Sequence, residues 1–311
     1  MRNTVVNTLI DLGKKDRDIT LITGDLGFGV LKPYWEALPD QFINAGIAEQ
    51  NMTGVAAGMA VEGKKVFTYS IGNFPTLRCL EQIRNDCAYH EANVNVICVG
   101  GGYVYGALGM SHHATEDIAA LRALPGVSVI CPGDAIEAEL AVRTIADTKG
   151  TSYLRLGRGG EKRINTGLKE FVLGKAYKLR EADKDKKSAA VFSTGSILEE
   201  VSAACDRLEE QGYAVEQYSF PTVKPIDRAV IAACAAQFKH IFAVEEHNII
   251  GGLGGAVAEV MSELGTGAKL HRVGINDFYC VKVGTQQYLR EQVGISAAAI
   301  AERVRQAIEN E

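Results

Sequence analysis

No apolar run in the 311 residues is long enough to cross a bilayer. The opening residues, MRNTVVNTLIDLGKK, have neither the apolar core nor the cleavage site of a secretory leader. From these absences we expect a cytoplasmic protein. The seven cysteines (Cys79, Cys87, Cys98, Cys131, Cys205, Cys234 and Cys280) contain no CxxC pair and no metal-ligand spacing. They read as reduced, mostly buried small hydrophobes, and neither a disulfide frame nor a metal site is expected. An excess of one charge is missing too. With 33 Lys and Arg against 38 Asp and Glu the formal charge is −5, mildly acidic and dispersed, which argues against a nucleic-acid surface. No internal repeat is evident.

What is present is an alternation of short apolar strands and helical stretches over a length that favours two domains. Residues 3–16 read as a helix, 19–23 as a strand, 65–70 as a strand, and 76–89 as one long helix. Strands at 94–99, 127–131 and 151–156 then alternate with helices at 116–124 and 134–147. The pattern predicts α/β architecture, a mainly parallel sheet with helices on both faces. Between 157 and 187 the chain turns polar and heavily charged, apart from FVLGKAYKL, which reads as an edge strand of the next domain. A second α/β pattern has strands near 189–193, 214–218, 241–245 and 270–274, and helices near 197–210, 226–237, 252–264 and 296–309. The expected division is a first domain at 1–165, a linker at 166–187 and a second domain at 188–311.

One stretch stands apart. Phe42 to Asn44 opens as a strand, breaks at Gly46 and continues into a helix rich in Gly and Ala, with Glu49 in its first turn. A helix macrodipole stabilises an acidic residue there whatever its role. The small residues Gly54, Ala57 and Gly58 predict a closely packed helix face and put Glu49 at a junction, in otherwise uncharged surroundings. The run Asn44 to Gly58, NAGIAEQNMTGVAAG, resembles the pyrimidine-domain signature of transketolases. In that family a glutamate contacts the aminopyrimidine ring of thiamine diphosphate. A carboxylic acid on the ring nitrogen favours the imino tautomer, which can take the thiazolium C2 proton; the cofactor then does the chemistry and the protein tunes it. The resemblance implies a catalytic and cofactor-binding role for Glu49.

It implies further candidates. Asp25, in the loop after the strand at 19–23, matches an acidic loop near the cofactor; locally it is as well explained as a turn aspartate. Phe67, Tyr69 and Phe74 surround the next strand end, and a flat pyrimidine needs an aromatic face. Tyr69 and Phe74 are both retained as stacking candidates. Ser111-His112-His113-Ala114-Thr115-Glu116-Asp117 resembles the loop that brings a histidine or glutamine to substrate. His112 takes that position by register, as catalytic and substrate-binding, with His113 beside it; imidazole suits the proton transfers of ketol chemistry. Arg2, Arg155 and Arg158 offer guanidinium groups to an anion, and the family's phosphate-holding arginines fall on Arg2 and Arg158.

The departures from the family pattern matter as much. Gly106-Ala107-Leu108-Gly109 stands where an aspartate is common, Gly100 to Gly102 where a phosphate-holding histidine is expected, and Gly29 near an expected serine. These lead to the expectation of a differently substituted ketose, or one bearing another anion. The Gly-Asp-Gly pattern followed by Asn, which holds Mg²⁺ and the diphosphate, is missing. The resemblance therefore implies a C-terminal subunit of a split transketolase. A separate N-terminal subunit would carry the Mg²⁺ ligands and the diphosphate domain, with active sites at subunit interfaces of an α2β2 assembly. The reaction implied is transfer of a two-carbon ketol unit from a ketose to an aldose. Alternatives are a deoxyxylulose-phosphate-synthase-like or 2-oxoacid dehydrogenase β-like subunit, a non-catalytic assembly or regulatory homologue, and a nucleotide-binding protein using Gly251 to Gly255.

Overall fold

The computed structural model describes residues 1–183 and 187–310. The first part runs α1 (Arg2–Gly13), β1 (Ile19–Thr23), α2 (Phe28–Ala37), β2 (Phe42–Asn44), α3 (Glu49–Val61) and β3 (Lys65–Ile71). It continues with a short helical turn α4 (Leu80–Gln82), β4 (Val94–Val99), α5 (Asp117–Arg122), β5 (Val127–Ile130), α6 (Ala135–Asp147) and β6 (Thr151–Leu156). The second part holds β7 (Tyr177–Arg180), β8 (Ser188–Thr194), α7 (Leu198–Glu210), β9 (Ala214–Ser219) and β10 (Thr222–Lys224). Then come α8 (Arg228–Gln237), β11 (His240–Asn248), α9 (Leu253–Leu264), β12 (Lys269–Ile275), α10 (Gln286–Val293) and α11 (Ala297–Glu309).

A seven-stranded sheet is ordered β10-β5-β6-β4-β3-β1-β2 and a five-stranded sheet β12-β11-β8-β9-β7. Every pairing is parallel except those of the edge strands β10 and β7. Strands such as β1 and β4 are buried from end to end, as parallel strands covered on both faces must be. Two apolar clusters sandwich each sheet. In the first, Val5, Leu9, Leu31, Tyr34 and Phe67 lie on one face and Met52, Ala56, Ile83 and Ile118 on the other.

The edge strand expected within FVLGKAYKL is found as β7, at the end of that run, where it pairs with β9 at the edge of the second sheet and so takes part of the 166–187 stretch into the second domain. Strand β10 crosses back, pairing Thr222 with Ile130 to complete the first sheet. The long helix expected at 76–89 is a succession of a 3₁₀ turn, the α4 turn and a π-helical segment Ile83–Ala88; irregular turns of this kind recur at functional sites. Helix α2 escaped the sequence reading because Pro33 lies inside it, and α10 because its QQYLREQV face is largely polar. All seven cysteines are free and buried.

Asp134 caps α6 by accepting from the backbone N–H groups of Ile136 and Glu137, both at 2.9 Å, and its second oxygen accepts from those of Ile164 and Asn165. One carboxylate thus satisfies a helix start and fastens the connection between the domains. Glu137, wholly buried beneath it, accepts from the N–H of Gly133 at 2.6 Å and from Asn165 Nδ2 at 3.1 Å. Burial pushes its carboxyl up from 4.5 to about 7. A carboxyl raised on folding binds its proton more tightly in the native state. Its contribution is therefore full below pH 4.5 and lost as pH rises through about 7. We predict that urea unfolding at pH 5 and pH 8 shows a decline in the native protein that Glu137→Gln removes, by up to about 3 kcal/mol.

Candidate functional site

The carboxyl ends of the first sheet's strands carry the loops that build the site, where open α/β sheets bind ligands. β2 feeds α3, and Glu49 is the first residue of that helix, only 3% exposed. Its Oε2 accepts from Arg78 Nη1 at 2.8 Å and its Oε1 from Ser70 Oγ at 3.4 Å. Ser70 reaches it because alternate residues of β3 face opposite ways: Phe67 and Tyr69 enter the core against α1 and α2, and Ser70 faces α3. Gly24 leaves the carboxylate its room, since a Cβ there would lie 3.3 Å from Glu49 Cγ. Arg78, from outside the otherwise uncharged run around Glu49, supplies the opposite charge.

Arg78 connects three groups. Its guanidinium carbon lies 4.7 Å from the centroid of the Phe74 ring, a cation–π distance. Phe74 meets the ring of His112 edge-on at 5.2 Å, and His112 Nδ1 lies 3.1 Å from Ser111 Oγ. Glu49, Phe74 and His112 are thereby brought together. Phe74 is half-buried and presents a face, whereas Tyr69, 2% exposed, is a core residue packed with Leu31 and Tyr34. Tyr69 is corrected as a stacking candidate: its place in the alternation of β3 turns the ring away from Glu49, and burial pushes its phenol up.

His113 is buried beside this group, its ring edge-on to Tyr103 at 4.9 Å and its backbone oxygen accepting from Asn73 Nδ2 at 2.5 Å. Its Nε2 is buried with no hydrogen-bond partner, and burial holds its imidazole below the ordinary value. Asp25, at φ +57°, accepts from Asn44 Nδ2 at 2.9 Å while Asn44 Oδ1 accepts from the N–H of Gly46 at 3.0 Å. Asp25 thus fastens the turn that leads into Glu49, so the turn-aspartate role is real whatever else it does.

Arg158 follows the carboxyl end of β6, and Arg2 opens α1. The charge of Arg2 acts on the Tyr69 phenol, and Arg158 packs 5.9 Å over Tyr105. Among the described residues no hydrogen bond or ion pair joins either to Glu49, Phe74 or His112. Arg155 is not available to an anion at all. Its Nε is bonded to Asp117 at 2.7 Å and its Nη2 to the backbone oxygens of Ala114 and Glu246. The Gly251–Gly255 loop is likewise closed, because Glu245 accepts from the N–H groups of Leu253 and Gly254 at the start of α9; a carboxylate of the chain fills the place a phosphate would take.

Among the described residues of this chain nothing packs on the helix face around Gly54 and Gly58: a Cβ at either meets nothing within 4 Å, and Val55 beside them is exposed. Only Ala57 of that trio is buried. The residues that sequence reasoning missed are Arg78, Ser70 and Asn73. Arg78 follows Phe74 by four positions, a helical-face spacing, but inside a segment read as plain helix nothing marked it.

The chain is thus a two-domain α/β protein in which the buried Glu49 carboxylate and the half-buried Phe74 ring share Arg78 as a partner at the strand ends of the first sheet. Residues 1–160 match the pyrimidine binding domain of transketolase and residues 178–300 the transketolase C-terminal domain. The chain belongs to the transketolase family. It is 37% identical to a subunit of the apulose-4-phosphate transketolase of Phocaeicola vulgatus, over 84% of this chain and 83% of that one. It is 33% identical to the 6-deoxy-6-sulfo-D-fructose transketolase subunit SqwH of a Clostridium species, over 99% and 94%. A solved split-gene transketolase, an inactive β4 tetramer, superposes with a TM-score of 0.87 at 32% identity over 99% and 97% of the two chains.

The loops of the site lean on one another at Gly72, where φ is +53° and a Cβ would lie 3.0 Å from the backbone oxygen of His112. Gly72→Ala is expected to cost about 1–3 kcal/mol and to displace the His112 loop; thermal unfolding with the ring signals of His112 checks both, and an unchanged protein would mean the loops are independent.

Proposed function

We infer that the chain is the C-terminal subunit of a split, thiamine diphosphate-dependent transketolase, moving a two-carbon ketol unit from a ketose to an aldose. The observation that carries this reading is Glu49, buried in the first turn of α3 within reach of Ser70 and Arg78. The residues present fit a pyrimidine ring: a buried carboxyl, the half-buried face of Phe74 and the space kept by Gly24. When bound, the cofactor supplies the nucleophilic carbon that takes up the two-carbon unit. Glu49 offers its carboxyl to the ring, which requires Arg78 to give up its contact, and Phe74 offers its face. Asp25 holds the turn before α3. His112 moves protons at the substrate oxygens, with His113 beside it as a neutral group, and Arg2 and Arg158 are assigned to the substrate's anion.

A separate N-terminal subunit supplies the diphosphate domain and the Mg²⁺ ligands, in an α2β2 assembly. Exposed apolar side chains support a covered face here: Phe28, Ile47, Leu77, Leu108 and Met110 all follow carboxyl ends of first-sheet strands. The relatives named for apulose 4-phosphate and for 6-deoxy-6-sulfo-D-fructose support a donor other than the common pentose phosphates.

Two measurements test the reading. In the complex reconstituted with its diphosphate-domain subunit, Glu49→Ala is expected to lower ketol transfer by at least about 10²-fold with the assembly intact; retained activity would favour a non-catalytic role. A panel of ketose donors is expected to favour a differently substituted ketose or one bearing another anion, such as a sulfonate, and a clear preference for xylulose 5-phosphate would contradict the substrate assignment.

A further inference from the structure

The second domain has a cavity of its own, remote from the site. Along β11 and β12, Phe242 stands opposite His271 and His240 opposite Lys269. Alternation therefore puts all four side chains on one face of the sheet. Farther along that face Val244 and Val273 pack into the core with Val304 and Ile308 of α11. At the amino ends of the strands the same face turns polar and opens into a cavity of about 460 Å³. His240, Phe242, Lys269, His271, Arg303 and Gln306 line it, and none of the described lining residues is acidic. The carboxyl end of β11, by contrast, reaches the first domain through Glu246, which accepts from the N–H of Tyr103. His240 and Glu246 are six positions apart, about 20 Å of strand.

The floor is fixed before any ligand arrives. The His271 ring stacks on Phe242 at 4.4 Å and 11°, and its Nε2 lies 2.8 Å from His240 Nδ1. At that distance one ring donates and the other accepts, so the pair cannot carry two protons between the facing nitrogens. Of the described acidic groups on α11, Glu302 and Glu309 both hold Arg305. Arg272, on the opposite face of β12, donates to the backbone oxygen of Ile249. Lys269 from β12 and Arg303 from α11 thus converge on the histidine pair, and neither forms an ion pair with an acidic group among the described residues. Burial, then His240 and Lys269, hold the His271 imidazole down at about 4.

We propose that this cavity is a binding site for a small phosphate-class anion, with His240 and His271 as its floor and Lys269 and Arg303 as its charged arms. Its volume leaves room for a body attached to the phosphate, so a phosphate monoester is the fitting ligand and inorganic phosphate the smaller probe. The site is independent of the ketol-transfer reading, and its test does not depend on turnover.

The ring ¹H–¹⁵N signals of His240 and His271 would be followed in the full chain while inorganic phosphate, and separately a hexose monophosphate, is added at constant ionic strength against chloride. A saturable shift is expected with both, the monoester saturating at lower concentration, and with it a rise in the His271 titration. Equal saturation would assign the site to free phosphate. Lys269→Glu with Arg303→Glu should weaken either by at least about tenfold, while Arg303→Gln alone, a milder surface change, should weaken it less at an unchanged melting temperature. No saturation against chloride, or saturation indifferent to both variants, would overturn the proposal.

Discussion

A guanidinium with almost no access to solvent has to be matched donor by donor, and Arg155 meets that demand with partners from three parts of the chain. From the end of β6 it bonds Asp117 at the head of α5, the backbone of Ala114 in the histidine loop, and the backbone of Glu246 in the second domain. Tyr153 donates to the same Asp117 carboxylate. Desolvation alone would raise that carboxyl, but the charge of Arg155 outweighs it and holds Asp117 below its ordinary value. His247, buried against the pair, is held down at about 4 by burial, although the Asp117 charge acts the other way. Removing either partner of such a buried pair strands a charge, at a cost of about 3–5 kcal/mol.

What this cluster fixes is the relation between the domains and the loop at the site. Glu246 accepts from the N–H of Tyr103 and holds Arg290 and Gln286 of α10. Gly102 must be a glycine there, since a Cβ would lie 2.6 Å from the Glu246 carboxyl. Tyr103 in turn supports the ring of His113. The loop bearing His112 and His113 is therefore clamped from behind by the second domain, and from the front by Gly72 and Asn73. The second domain, far from being a bystander to the first, sets the position of two site residues and lends β10 to the first sheet.

Much of this was legible in the amino-acid sequence. Apolar runs bounded by glycines gave the parallel strands, because a strand covered on both faces has no polar alternation to disguise it. The Gly-Ala helix beginning at Glu49 was legible for the same local reason. What escaped was long-range. Nothing in Thr222–Lys224 tells that it pairs with Ile130 rather than with its own domain. Tyr69 and Phe74 were indistinguishable as aromatics until the pleat of β3 sent one into the core. Arg155 and Arg158, three residues apart, looked alike as anion ligands; one sits in a fully buried strand and the other just beyond it in the open. Arg78 was invisible because its meaning comes from Glu49, twenty-nine positions away.

The central claim is that Glu49 serves a cofactor which this chain cannot hold by itself. Titrating thiamine diphosphate with Mg²⁺ into the chain alone, into the diphosphate-domain subunit alone and into their mixture tests it most directly. Saturable, tight binding is predicted in the mixture only, weakened by Glu49→Ala. Equally tight binding by this chain alone would contradict it, because the diphosphate site would then have to lie within these 311 residues.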